Sequence, residues 1–179
     1  MSLIKYEELS DFQKWLFFYL AKNGYAPQNM KGIMPGMCSG LKMKIDLENF
    51  DQEEEKFRVQ SGELYKNGLL TIITTRNPNG EYIISDKGEV YLLQKVLGPI
   101  IKTQDKNMTS KILDYFANAE PGLRPQIVTM LQNIDKRTFM QSVTALSTKM
   151  LTDFMPWMHA IDKIHAIAKS FGIDPSSTG

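Results

Sequence analysis

The sequence is poor in the residues from which catalytic and metal sites are usually built. It has one cysteine, Cys38, and two histidines, His159 and His165, among 179 residues. A single cysteine excludes a disulfide framework within the chain and fits a reducing compartment. The nucleophile motif G-x-S-x-G, the dinucleotide motif G-x-G-x-x-G and the zinc motif H-E-x-x-H are all missing. We therefore expect a protein that is not an enzyme and that uses no metal and no cofactor.

Long apolar runs are missing as well. The longest, from Trp15 to Ala21, is too short to cross a bilayer, and no basic and then apolar leader precedes it. We therefore expect a cytoplasmic protein without a membrane segment. The apolar content of 42% and the charged content of 23% are typical of a globular chain. A chain of this length can bury the core of one or two small domains.

The sequence also has no excess of one charge, because its net charge is +1. Residues 1–100 carry 12 Lys or Arg against 13 Asp or Glu, and residues 101–179 carry 9 against 7. Contact with phosphates usually leaves a basic domain as its footprint. A nucleic-acid surface in the first half could therefore exist only as a local patch.

The first half is predicted to be built around two helices and a hairpin. Ser10 and Gln13 have the spacing of a capping box, and the helix that they begin is apolar on nearly every face. A second capping box, Asp51 with Glu54, predicts a helix over 51–67, which Gly68 ends because glycine accepts a positive φ.

A β-hairpin is predicted directly after that helix. Its strands are Leu69–Thr75 and Glu81–Ile84, and the intervening Arg-Asn-Pro-Asn-Gly has turn chemistry. Ser85 can cap a following helix, which we expect Gly98-Pro99 to stop.

This order of helix, hairpin and helix resembles the winged-helix DNA-binding domain, over about half of the chain. Residues 83–88, I-I-S-D-K-G, are similar to the "(L/I)T-x-K-G" entry to the helix after the wing in MarR-like and PadR-like regulators. The resemblance implies a mainly α fold with a small β-hairpin wing. It also implies an N-terminal winged helix over residues 1–100, in which 51–67 is the recognition helix.

The partner implied by the resemblance is double-stranded DNA, and the implied function is transcription regulation. Arg and Gln side chains can read base edges in the major groove, and an Arg on a wing can enter the minor groove. The candidate DNA-binding residues are Lys42, Lys44, Lys56, Arg58, Gln60, Lys66, Asn67, Arg76 and Asn77. The three consecutive acids Glu53–Glu55 leave an alternative open: a winged helix that binds a basic protein and no DNA.

Residues 25–50 are less regular in pattern. Gly32, Gly36 and Gly40 recur every four residues, but neither an apolar 20-mer nor the Gly-Lys-Ser/Thr ending of a phosphate loop accompanies them. We predict a loop with one short irregular helix here.

Helices are the only regular elements predicted over residues 105–179, with a break at Glu120-Pro121-Gly122 and no helix in the tail 174–179. Helices over 107–119 and from Pro125 are followed by a long helix with an apolar seam, and Pro156 predicts a kink or break in it. The seam can pack on its own domain or pair with a second copy. We favour pairing, so the region is predicted to be a dimerisation region of a homodimer. The predicted interface residues are Phe139, Val143, Leu146, Met150, Phe154, Trp157, Ile161, Ile164 and Ala168.

Two further possibilities concern ligands of the C-terminal half. His159, Asp162 and His165 recur at steps of three, which makes a metal site conceivable, although a helix surface is the expectation. A regulator that senses a small effector could hold it between the two halves, beside Tyr115 and Trp157. The sequence identifies no effector.

Overall fold

The chain folds as a mainly helical protein with a small two-stranded antiparallel sheet. The computed structural model describes residues 4–23, 28–73, 81–102, 106–134, 141, 145, 146, 151 and 153–172. Within these ranges the α-helices are α1 (Asp11–Asn23), α2 (Met30–Leu41), α3 (Phe50–Lys66), α4 (Asp86–Tyr91), α5 (Gly98–Lys102), α6 (Lys106–Ala119), α7 (Arg124–Ile134) and α8 (Phe154–Ser170). The strands are β1 (Leu70–Ile73) and β2 (Glu81–Ile84).

Helix α1 is the hydrophobic centre of the N-terminal half. The predicted capping box is confirmed, because the Ser10 amide donates to Gln13 Oε1 and the Gln13 amide donates to Ser10 Oγ. Trp15, Phe17 and Phe18 are each at most 1% exposed, as expected for a helix that is apolar all round. The neighbouring elements therefore pack on α1 from several sides.

Helix α2 corrects the prediction of a loop with one short irregular helix over residues 25–50. It is a regular helix of 12 residues with Pro35 inside it, and Asn29 caps it by accepting from the Gly32 amide. A Cβ added at Gly40 would lie 2.4 Å from Trp15 Nε1 and 2.4 Å from the Leu151 carbonyl oxygen. The glycine spacing therefore opens a groove on α2 that receives the Trp15 indole.

The hairpin strands pair in the predicted order. Leu70 lies opposite Ile84, and Ile73 lies opposite Glu81. On the other edge of β2, Gln28 forms an isolated antiparallel bridge with Tyr82, with N···O distances of 3.0 and 2.8 Å. Strand β2 is therefore bonded on both sides at Tyr82, with Gln28 at its outer edge. The predicted turn falls outside the described residues.

The helix after the hairpin does not end at Gly98-Pro99, contrary to prediction. Helix α4 continues through a π-helical segment, Leu92–Leu97, directly into α5, and Gly98 has ordinary helical angles. A proline inside a helix lacks one donor and crowds the preceding turn. The wider π turn just before Pro99 is a known way of absorbing such a defect.

The C-terminal helices pack on the N-terminal half. Helix α8 contacts α2, α5 and α7, and one hydrophobic cluster contains residues of both halves, such as Leu97 and Ile161. The Tyr6 hydroxyl lies 3.5 Å from Met158 Sδ, which also joins the chain start to α8. None of the helices in the described ranges has the length and hydropathy that crossing a bilayer requires.

The predicted dimer seam is used inside the chain. The seam residues buried within the single chain are Leu146, Phe154, Trp157, Ile161, Ile164 and Ala168. Phe139, Val143 and Met150 lie outside the described residues. These six residues are therefore not exposed for pairing in the single chain, and the homodimer itself stays a prediction. As expected from Pro156, the long helix is broken: α8 begins at Phe154, which puts the proline in its first turn.

Candidate nucleic-acid interface

Helix α3 presents one face to the core and the opposite face to solvent. Phe57, Ser61 and Leu64 are buried, and the Phe57 ring meets Phe12 of α1 edge-to-face at a centroid distance of 5.4 Å. The Ser61 hydroxyl donates to the Phe57 carbonyl, 2.8 Å away, so it needs no partner outside the helix. These contacts fix the rotation of α3 about its axis and determine which side chains face outward.

Polar contacts between α1 and α3 strengthen that orientation. The buried Gln13 donates from Nε2 to the Gln60 carbonyl at 3.1 Å and to Glu63 Oε2 at 2.7 Å. The Ser10 hydroxyl donates to Gln60 Oε1. The side chain of Gln60 is thus committed to α1 and does not lie on the outward face. These bonds compete with the predicted DNA contact of Gln60, which stays a prediction.

The C-terminal end of α3 is joined to the start of α4. Gly68 has φ +74°, which confirms the predicted stop, and its carbonyl accepts from Ser85 Oγ at 2.5 Å. Lys87 Nζ donates to the Asn67 carbonyl at 2.9 Å. Gly88 has no room for a Cβ, which would lie 2.2 Å from the Leu69 carbonyl oxygen. The S-D-K-G run therefore sets the position of the α3 end against the hairpin.

The side chain of Asn67 also forms a hydrogen bond within the protein, at the same end of α3. Its side-chain Nδ2 donates to the Glu63 carbonyl, 2.8 Å away, at the last turn of α3. This bond competes with the predicted DNA contact of Asn67, which stays a prediction.

The N-terminal end of α3 is set by the turn before it. The helix begins at Phe50 after Asn49, without the predicted cap from the Asp51 side chain. Asp46 caps this turn instead, accepting from the Glu48 amide at 3.0 Å and from Asn49 Nδ2 at 2.7 Å. The bond from the Asn49 side-chain amide lowers the pKa of the Asp46 carboxyl below its ordinary value. The turn is therefore an ordered start for the helix at neutral pH.

The outward face of α3 carries one stripe of side chains. Residues three and four apart share a helix face, and the stripe opposite the buried face consists of Gln52, Glu55, Val59, Gly62 and Lys66. Val59 is 54% exposed, and a Cβ added at Gly62 would meet no described atom within 4 Å. Sequence reasoning did not assign Val59, although its spacing from Phe57 and Leu64 indicates the outward face.

The charges around α3 are largely compensated within the helix. Residues 42–68 carry five Lys or Arg and seven Asp or Glu. Lys56 Nζ lies 3.4 Å from Glu53 Oε1, and Arg58 Nη2 lies 3.1 Å from Glu55 Oε2. Exposed pairs of this kind contribute about 0.5 kcal/mol or less, so a competing anion could displace the carboxylates.

The remaining predicted cations lie at the two ends of the helix. Lys42, which ends α2 in the left-handed conformation with φ 51°, and Lys44 are exposed before α3, and Lys66 is exposed at its last turn. In the described part of the chain the ion pairs of α3 involve Lys56 and Arg58 and leave out these three lysines. Arg76 and Asn77 of the predicted wing lie outside the described residues.

The histidine and carboxylate set on α8 is divided between surface and core. His159 and Asp162 are exposed, whereas His165 is partly buried with Nε2 2.9 Å from the Val96 carbonyl oxygen. Among the described residues, no three His, Cys, Asp or Glu side chains form a group that could hold a metal. The observed role of His165 is to join α8 to the π-helical segment.

Comparison with known proteins identifies no relative: no family model matches the chain, and no curated protein or solved structure matches it. The chemistry of the α3 surface and the order of the elements are therefore the grounds for assigning a function.

Proposed function

We propose that the chain is a DNA-binding transcription regulator in which residues 1–100 form a winged helix, α3 is the recognition helix and the β1–β2 hairpin is the wing. The function is binding without a catalytic step. The observation that carries the proposal is the solvent-facing α3 stripe beside a hairpin. Helix α3 is held in this position by contacts with α1 and with residues 85–88, at the start of α4. A helix presented in this way can enter the major groove, which is wide enough to admit it.

The order of the elements supports the proposal. Three helices are followed by an antiparallel hairpin, and Gln28, between α1 and α2, bridges to the second hairpin strand at Tyr82. The resemblance on which the proposal rests has the same order of recognition helix, hairpin wing and following helix. The small sheet thereby ties the wing to the base of the helical part.

The distribution of cations supports it as well. Lys42 and Lys44 lie before α3, and Lys66 lies at its other end. Lysines at these points can contact the two phosphate backbones that border a groove, while the stripe between them faces the bases.

The experiment measures DNA affinity as a function of salt concentration. Fluorescence anisotropy with mixed-sequence duplexes is expected to give a binding constant that falls as salt rises. Replacing Lys44 and Lys66 with Ala should lower the slope of log K against log salt by about 2, roughly 0.9 for each phosphate that the variant no longer neutralises.

The matched control is the double variant Lys106→Ala/Lys169→Ala, which changes the net charge equally at exposed positions of α6 and α8. It should leave the slope unchanged. If the wild-type protein shows no salt-sensitive binding, the proposal of DNA binding is wrong. If both double variants give the same slope, α3 and the residues beside it are not the contact surface.

A second candidate is a winged helix that binds a basic protein. The acidic majority over residues 42–68, with Lys56 and Arg58 paired to Glu53 and Glu55, favours it. The variant Asp51→Asn/Glu55→Gln should then lose a bound protein in affinity capture, whereas Lys44→Ala/Lys66→Ala should retain it. Under the DNA proposal the acidic variant instead binds duplexes at least as tightly as wild type.

A further inference from the structure

The centre of the outward α3 stripe is apolar and open, in contrast to its charged ends. Val59 is 54% exposed, and Gly62, one turn later, leaves free space above the helix within the described part of the chain. Valine and glycine are both weaker helix formers than alanine, and both positions lie on the face of α3 opposite the buried Phe57, Ser61 and Leu64. Their presence here therefore has no explanation in the stability of α3.

Val59 and Gly62 are suited to a contact in which another surface approaches this face of α3 closely. A glycine inside a helix lets a partner come close to the helix backbone. The neighbouring Glu55 carboxylate lies 3.1 Å from Arg58 Nη2, so two opposite charges lie next to each other beside the stripe. The middle of the stripe is thus suited to an apolar group and not to a phosphate.

In the major groove the apolar group of a base pair is the C5-methyl of thymine. Cytosine offers an amino donor, and the purines offer acceptors and donors, none of which Val59 or Gly62 can satisfy. We propose that Val59, with Gly62 allowing close approach, reads a thymine methyl at the centre of the DNA site. This inference rests on the proposed DNA binding and names the base that the recognition helix selects.

Residue type alone assigns DNA contact to other side chains of α3. The sequence predicts DNA contact by Arg58, Gln60 and Asn67, but the side chains of Gln60 and Asn67 form hydrogen bonds within the chain. In the proposal the base is selected by Val59, whose side chain has no hydrogen-bonding group. Val59→Ala should therefore change which sequence is preferred without changing how binding responds to salt.

The test begins with selection of preferred duplexes from a random-sequence pool by the wild-type protein. Each thymine of the best-bound duplex is then replaced singly by deoxyuridine, which removes the methyl group and retains base pairing. At one position or more, affinity should fall about fourfold, the effect expected for one buried methyl group. Val59→Ala should bind the thymine and deoxyuridine forms of that site equally, with an unchanged salt slope.

The control variant is Val90→Ala, because Val90 is a similarly exposed valine, 48%, on α4. It should keep the difference between thymine and deoxyuridine. The inference is overturned if deoxyuridine is tolerated at every position, if the pool yields no preferred sequence, or if Val59→Ala keeps the discrimination. In those outcomes salt-sensitive binding would persist, whereas binding to no duplex at all would overturn the proposed function itself.

Discussion

The hydroxyl of Ser85 donates a hydrogen bond to the carbonyl oxygen of Gly68, 2.5 Å away, across the base of the hairpin. Ser85 Oγ also accepts from the Gly88 amide at 2.9 Å, so it caps α4 as well. One side chain therefore joins the end of α3 to the beginning of the helix that follows the hairpin. The position of α3 relative to the hairpin depends on this contact.

Replacing Ser85 with Ala should destabilise the protein by about 1–2 kcal/mol, because it removes a helix cap and leaves the Gly68 carbonyl without this donor. Urea unfolding of wild type and variant measures the difference. Ser110→Ala is the control, since Ser110 is exposed on α6, and it should change the free energy of unfolding by less than about 0.5 kcal/mol. If both variants lose the same free energy of unfolding, the hydrogen bond between Ser85 and Gly68 contributes no net stability.

The two helical glycines Gly88 and Gly62 should respond to alanine in opposite directions. A Cβ at Gly88 would lie 2.2 Å from the Leu69 carbonyl oxygen and 2.8 Å from Ile84 Cγ1, so Gly88→Ala should destabilise by about 2 kcal/mol. Gly62 has free space in the described structure, so Gly62→Ala should stabilise α3 by up to about 1 kcal/mol. Thermal unfolding followed by circular dichroism separates them. A stabilised Gly88→Ala would contradict the close packing of α4 against Leu69 and Ile84.

What the sequence could predict is set by local contacts. The Ser10–Gln13 box, the Gly68 stop and the Ser85 cap of α4 each depend on residues within about four positions of one another. All three are found as expected. Caps and helix stops can be predicted from a sequence because the residues that form them are close together in the chain.

Other parts of the structure depend on turns or partners that a local pattern does not show. The Asp51–Glu54 capping box is a local pattern, but Asp46 caps the turn before α3 instead. The Gly-rich segment is a regular helix because Trp15 fills its groove, and Gly98-Pro99 continues a helix because the π segment absorbs the proline. Gln60 has the chemistry of a base reader, but Ser10 and Gln13, some 50 residues earlier in the chain, determine its surroundings. Residue type alone cannot show which face of a helix a side chain occupies.

The groove on α2 gives another matched pair of glycine substitutions. A Cβ at Gly40 would lie 2.4 Å from both Trp15 Nε1 and the Leu151 carbonyl oxygen, whereas at Gly32 the nearest atom would be Asn29 Oδ1, 3.5 Å away. Gly40→Ala should therefore destabilise by about 2–3 kcal/mol through displacement of the indole. Gly32→Ala should be near neutral or stabilising. The check is urea unfolding followed by tryptophan fluorescence, and a Gly40→Ala variant as stable as wild type would contradict the close packing of α1 on α2.

The contact between His165 and the Val96 carbonyl predicts how stability depends on pH. Burial lowers the pKa of His165 below its ordinary value, against opposing effects of the Val96 hydrogen bond and the charges of Asp162 and Glu7, with Lys14 lowering it further. The folded protein thus binds a proton at His165 less readily than the unfolded chain does. The stabilisation is fully present above the unfolded pKa of about 6.5 and is lost as pH falls below it.

The free energy of unfolding should therefore decrease between about pH 7 and pH 5, in a step attributable to this residue. His165→Gln keeps a donor for the Val96 carbonyl but does not titrate, so its pH profile should be flatter in this interval. His159→Gln removes the exposed histidine of the same helix and should retain the wild-type decrease. Urea titrations at several pH values measure all three proteins. If His165→Gln loses stability as steeply as wild type, another group titrates in this interval, and the packing of α8 on the π-helical segment does not depend on a neutral His165.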